Sequence, residues 1–454
     1  MHLAIIEAQG TIRSQALRHT IQSAIKPAVR FALVAAALTS LVGCGNTYRP
    51  VVNAINPVGP AAQPQKYAVA VAASPNPNTP GLVTLVDFSG DTVLVTANIG
   101  VAPYYLSLDT GGFTGYTLNG DPTSGDTTLT SFDISPALQT KDVLQTTLLA
   151  GANPVSVFSQ GGYTYIAEPG RNAIAELRGS PLALQQELPV APNAIYVAGV
   201  AGTPRAYAIS QGTPGGSGQV AAIETTSNTI STTLGVGRGP VYGVMTTDGK
   251  RAFILNKTDG TVSVINAQTN QLDTPLSTIA VGAAPIWADL VPTKTELVVA
   301  NSGNGTSAGS LSIINIPLCS VKALPTNPLC NTTNPIDAIG FGDLLATVPV
   351  GRSPIMVAVL QDGTRAYVAN YADSTVSVVN LTSNTVTATI PVVGRPIYIA
   401  ATQGTPTGKV YVVSADTMSP NKNSVMTVIR TDTDQVTTTI NLQGIGVSVR
   451  VTQP

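Results

Sequence analysis

Histidine is nearly absent. The 454 residues hold only His2 and His19, and both lie ahead of a cysteine at position 44. A chain processed at that point would have none, which removes the commonest general base, the usual zinc and haem ligand, and any Ser-His-Asp triad. Charge is scarce as well: 10% of residues are charged, and beyond residue 43 there are 19 basic groups against 23 acidic ones. A mildly acidic surface offers nucleic acid no electrostatic footprint. Paired catalytic carboxylates and calcium loops are also missing, because Asp248, Asp259, Asp362 and Asp373 fall in hairpin turns, where Asp is favoured for backbone reasons. Cysteine, at three residues, and tryptophan, at one, complete the list of scarce types.

What is abundant is turn and strand chemistry. There are 42 Gly and 33 Pro, and Thr, Val, Ser and Asn crowd the chain beyond a short N-terminal segment. This is the composition of an all-β protein with many turns.

Near the N-terminus, Lys26 and Arg30 precede the apolar run Phe31 to Leu38. The run is too short to span a bilayer but suits a signal-peptide core. It leads into Leu41-Val42-Gly43-Cys44, which resembles a bacterial lipoprotein signal and implies a lipidated Cys44 after removal of residues 1–43; the alternative is an ordinary secreted protein with a stray cysteine. Gly45 stands where Asp would retain an enteric lipoprotein in the inner membrane, so the resemblance implies the outer membrane, facing the periplasm. Residues 44–64 carry four prolines and read as a tether. The folded domain is expected over 65–454.

That domain is organised around Gly351 to Pro396. Four short apolar runs, Met356 to Leu360, Arg365 to Asn370, Ser374 to Val379 and Thr385 to Ile390, are separated by turn signals such as Asp362-Gly363 and Thr382-Ser383-Asn384. One such sheet has two apolar faces and needs copies of itself as neighbours. The opening signal recurs at Pro103, Pro154, Pro192, Pro240, Pro285, Pro354 and Pro396, at spacings of 51, 38, 48, 45, 69 and 42 residues. Repeats of about 40 to 50 residues are those of propeller blades. Three strands precede the first signal, and one surplus strand, Ile445 to Val451, follows the last unit. Together they complete a sheet that closes a ring and removes free edges. The count is eight blades, with seven as the alternative; a β-solenoid is the competing architecture, which the terminal strand exchange argues against.

At Tyr367-Val368-Ala369-Asn370, followed by Asp373-Ser-Thr-Val-Ser-Val-Val-Asn380, the chain resembles the YVTN-type β-propeller repeat family. Looser copies are Ala252 to Asn256 with Thr261 to Asn266, Leu297 to Asn301 with Leu311 to Asn315, and Val410 to Ser414. The resemblance implies an extracytoplasmic propeller and says little about its ligand.

In a propeller the anchor loops gather at one mouth of the channel. Arg238, Arg352 and Arg395 occupy those loops, where guanidinium groups can hold a carboxylate, phosphate or anionic sugar or else pair with a neighbouring blade. Asn256, Asn301 and Asn370 end second strands on the same rim, where each can face a ligand or bond its own turn. Tyr105, Tyr242, Trp287 and Tyr398 stand two residues after their anchors, as inter-blade packing or, at Trp287, as a stacking floor. The long sixth unit carries Cys319 and Cys330, whose pairing in an oxidising compartment would close a loop worth about 2 to 3 kcal/mol. The expected function is a non-catalytic binding scaffold for a partner protein, cell-wall glycan or small anion, monomeric and without metal or cofactor. The alternative is a propeller enzyme of the lactonase or quinoprotein kind.

Overall fold

A computed structural model of the chain describes residues 67–120, 127–274, 276–291, 295–317, 340–402, 408–415 and 424–452. The leader, Cys44, the tether and the insertion bearing Cys319 and Cys330 lie outside them. Among the described residues there is no α-helix, only a single 3-10 turn at Thr140–Asp142, and the strands form eight antiparallel sheets.

The eight sheets are the blades of a propeller. Blade 1 joins Tyr67–Ala73, Pro80–Asp87 and Val93–Val101 to Ile445–Val451, which is its innermost strand. Blades 2, 3 and 4 open with innermost strands Pro103–Leu108, Ser156–Gln160 and Ala194–Gly199. Blades 5 to 8 open with Pro240–Met245, Pro285–Val291, Pro354–Val359 and Arg395–Ala401. Each innermost strand contacts those of the blades on either side, so the ring is complete. The closing strand pairs antiparallel with Tyr67–Ala73, Ala68 opposite Val451 and Ala73 opposite Ile445. Eight blades, and the strand exchange that closes them, match the repeat count.

The core lies between blades because each sheet is apolar on both faces. One cluster joins Val291, Val298 and Val348 of blade 6 to Val357, Ala366 and Val368 of blade 7. Another joins Tyr411, Val413 and Met426 of blade 8 to Ala68, Ala70 and Val449 of blade 1.

The local geometry explains the Gly-x-x-Pro signal position by position. Gly100, Gly237, Gly282 and Gly351 lie against the buried side chains of Asn119, Asn256, Asn301 and Asn370 in the next blade; a Cβ on Gly351 would sit 2.6 Å from Asn370 Cγ. The third residue of the signal turns the chain with positive φ, at Ala102, Gly239, Ala284 and Ser353. The proline ring then covers a glycine of the preceding blade: Pro103 over Gly81, Pro240 over Gly218 and Pro354 over Gly309, with no room there for a side chain. The spacing is therefore a packing code between successive blades. At the other end of the central unit, the Asp362-Gly363 hairpin uses one positive φ, at Gly363, with Gly363 N–H donating to Leu360 O at 2.9 Å.

A second repeated contact ties neighbours together. The phenols of Tyr165, Tyr207 and Tyr367 donate to Asn228, Asn270 and Asp434 at 2.5, 2.9 and 2.5 Å, each acceptor sitting in the outer hairpin of the following blade. Tyr411 makes the same contact to Asp91 at 3.3 Å across the closing joint. Lys409, also buried, adds an ion pair to Asp91 at 2.7 Å there.

Candidate functional site

At the rim where the innermost strands begin, the arginines of the anchor loops are engaged locally. Arg238 Nε donates to Asp259 Oδ1 at 2.6 Å and Arg352 Nε to Asp373 Oδ1 at 2.5 Å. The backbone N–H of each arginine donates to the other oxygen of the same carboxylate. These backbone bonds, with the guanidinium behind them, hold both carboxyls below their usual range. The Arg238 and Arg352 side chains stay 55% and 51% exposed, so the pairs are surface cross-links of small energy. Arg395 lies over the Tyr371 ring at 5.2 Å.

The asparagines of that rim are buried. Asn256 Nδ2 donates to Thr261 and Ser263, Asn370 Nδ2 to Thr375 and Ser377, and Asn301 Nδ2 to Ser310 and Ser312. Their amide donors are spent inside their own blades, beneath the anchor glycines. Blade 3 carries Glu168 at this repeat position. Burial first, and then the charge of Glu187, push its carboxyl up to about 7, against the opposing pull of Arg171.

Deeper in the channel the sequence produces a different arrangement. Directly after the anchor, the pairing skips one residue: Pro240 faces Asn256 while Tyr242 faces Leu255, and the same slip follows Pro103, Ala194, Pro285, Pro354 and Pro396. A bulge of this kind re-aims the next side chain. It turns Tyr105, Tyr196, Tyr242, Trp287 and Tyr398 into one layer. Tyr196 meets Tyr242 at 4.9 Å, Tyr242 stacks on Trp287 at 4.0 Å, and Trp287 meets Tyr398 edge-on at 6.1 Å. That last contact passes over blade 7, which supplies Met356 at the corresponding position, so the layer spans the channel.

Two residues further along, the next layer carries two charges. Asp289 of blade 6 accepts from the backbone N–H of Val359 at 2.9 Å and from Leu290 at 2.9 Å. Burial pushes its carboxyl up to about 6 despite these bonds. Arg450 of blade 1 holds the corresponding place, since Gly446 and Ser448 straddle the same slip in pairing. Its Nε donates to Leu106 O at 3.3 Å, its guanidinium lies 4.7 Å over the Tyr398 ring, and the Tyr105 phenol bonds to it. Burial holds the phenols of Tyr105, Tyr196 and Tyr242 above their ordinary range and that of Tyr398 up to about 12. They are O–H donors at neutral pH.

Beside Arg450 opens a cavity of ≈ 220 Å³, walled by Tyr105, Val157, Phe158, Tyr196 and Leu108 and bordered by the Asp109–Gly112 turn. It lies toward the ends of the innermost strands, away from the anchor arginines. Among the described residues no carboxylate comes within 4 Å of Arg450, and no group of three His, Cys, Asp or Glu is placed to hold a metal. Sequence reading singled out Tyr105, Tyr242, Trp287 and Tyr398 but not Arg450 or Asp289. The closing strand has no anchor proline, so its register, and with it the place of Arg450, is hidden in the sequence; Asp289, four residues after Pro285, was the available signal.

No family model matches the chain, and no curated protein matches it in sequence. Solved structures do match. The chain is similar to the dihydro-heme d1 dehydrogenase NirN in complex with DHE, at 11% identity and a TM-score of 0.59 over 85% of this chain and 75% of that one. It is similar to apo AztD from Citrobacter koseri, at 12% identity and 0.54 over 85% and 97%. A third likeness is a putative 6-phosphogluconolactonase from Bacteroides fragilis, at 17% identity and 0.50 over 74% and 97%. At these identities the likenesses are of fold, and they place the chain among β-propellers.

Proposed function

We propose that this chain is a non-catalytic, YVTN-type propeller lipoprotein, anchored through Cys44 in a bacterial envelope, that binds a small ligand at the channel end beside Arg450. One observation carries the reading: a cation among phenol donors and apolar walls faces a cavity and has no carboxylate partner among the described residues. A concave space where a few polar groups converge beside apolar walls has the form of a small-molecule site. The anchor arginines supply a weaker candidate, because Arg238 and Arg352 already spend their charge on Asp259 and Asp373. The absence of histidine beyond residue 43 and the repeat regularity favour binding over catalysis.

A thermal-shift screen of the chain against small anions, metals, cell-wall fragments and quinone cofactors tests this, since a ligand of the native state raises the melting temperature by mass action. The expected result is a shift with a small anion that survives combined substitution of Arg238, Arg352 and Arg395 by Ala. A shift with a metal or quinone alone would replace the reading by an enzymatic one, and loss of the anion shift in the triple variant would move the site to the anchor rim.

A further inference from the structure

The structure assigns a chemical class to that ligand: we propose a compact monocarboxylate with a planar or apolar body. The inference rests on the binding reading above. Of the residues lining the cavity, Arg450 alone is cationic and Asp109 alone is anionic. Asp109 is occupied in its own hairpin, accepting from the backbone N–H groups of Phe113 and Thr114 at 2.7 and 2.8 Å and from Gly111 at 3.3 Å. Arg450 can meet one negative charge, while the Asp109 carboxylate on the same lining sets a like charge against a second. A dianion such as phosphate would bring a second charge that meets no second cation here and faces the Asp109 carboxylate as a like charge.

Shape points the same way. A guanidinium presents a planar fork that matches the two oxygens of a carboxylate. Arg450 uses Nε on Leu106 O and lies against Tyr398, so the group is held in place before a ligand arrives. The walls beyond it, Val157, Phe158, Leu108 and the ring of Tyr196, offer apolar and aromatic surface for the rest of the molecule. At ≈ 220 Å³ the space falls below the range of roughly 300 to 1,000 Å³ typical of drug-sized ligands, which excludes oligosaccharides and peptides from full enclosure.

Benzoate is the probe, with benzamide as its uncharged isostere and inorganic phosphate, at about pH 8.5 where it is doubly charged, as the dianion control. Binding is read by isothermal titration calorimetry, because Trp287, the chain's one tryptophan, is not among the residues lining the cavity. Titration of the purified chain is expected to show saturable binding of benzoate at least tenfold tighter than benzamide, and none of phosphate. Arg450→Gln should erase the tenfold preference, while Arg450→Lys, which keeps the charge but not the fork, should retain part of it. Urea unfolding of both variants checks that the ring is intact; if Arg450→Gln fails to fold, the lysine variant and the benzamide comparison decide. Equal binding of benzoate and benzamide, or an unchanged preference in Arg450→Gln, overturns the carboxylate assignment. If neither aromatic probe binds but another ligand of the screen does, and that binding is weakened by Tyr196→Ala, the carboxylate class fails while the channel reading stands. If nothing binds, both fail.

Discussion

At the scale of single residues, burial holds two carboxyls above their ordinary range, Asp289 against its hydrogen bonds and Glu168 against the charge of Arg171. Asp289 illustrates the consequence. Its folded-state value of about 6, against an ordinary 3.8, means that the native ring holds this proton more tightly than the unfolded chain does. The stabilisation is therefore fully present below about pH 4 and is lost as pH rises through 6. Asp289→Asn removes the titration. Relative to that variant, the wild-type chain should lose on the order of 2 kcal/mol between pH 4 and 6.5, read as a pH-dependent difference in urea midpoints; parallel curves would show that the channel solvates Asp289 better than its surroundings suggest. Glu168 leans the same way, which is why the comparison is made against the single variant rather than against absolute stability.

At the scale of the blade, the repeated unit is defined by what it leaves empty. The first glycine of each anchor signal admits the buried Asn of the next blade, and the proline fills a groove over a glycine of the preceding one. Gly351→Val should destabilise the chain by about 2 to 3 kcal/mol, because the new side chain meets Asn370 in a core that tolerates little added volume. Chemical denaturation measures it. The exposed Gly235, which has open space where a Cβ would stand, is the control: Gly235→Ala should change stability by less than about 0.5 kcal/mol.

At the scale of the whole molecule, stability depends on closure. The strand Ile445–Val451 completes blade 1, and Lys409 with Asp91 locks the same joint from the other side in a buried ion pair. A chain ending at Leu442 leaves Tyr67–Ala73 with an unpaired edge and exposes the apolar face of blade 8, conditions that favour edge-to-edge association. Such a truncation should elute as soluble aggregate or oligomer in size-exclusion chromatography with light scattering, whereas the full chain should not; a monomeric, cooperatively unfolding truncation would show that the ring closes without its final strand. Closure also forms the candidate site, because it brings Arg450 from the last strand beside Tyr105 and Leu106 from the second blade.

Residue order by itself determined the all-β class, the eight units, the terminal strand exchange and the anchor prolines except in blade 4, where Ala194 and not Pro192 takes the anchor's place. Each follows from local rules: alternation within Ser374 to Val379, turn residues at Asp362-Gly363, and a proline whose ring needs a fixed neighbour. The sequence also placed the aromatics two residues after their anchors. Only tertiary structure decided what those residues do. Asn256, Asn301 and Asn370 look like a polar rim in the sequence, yet their positions against a neighbour's glycine bury them. Arg238 and Arg352 could serve in the sequence either as an anion site or as pairs to a neighbouring blade, and each lands beside an Asp one blade on. Arg450 looks like an unremarkable residue near a C-terminus, and becomes the channel's cation because ring closure joins residues more than 340 positions apart. Such proximity between distant segments is a property of the closed ring, and no local periodicity encodes it.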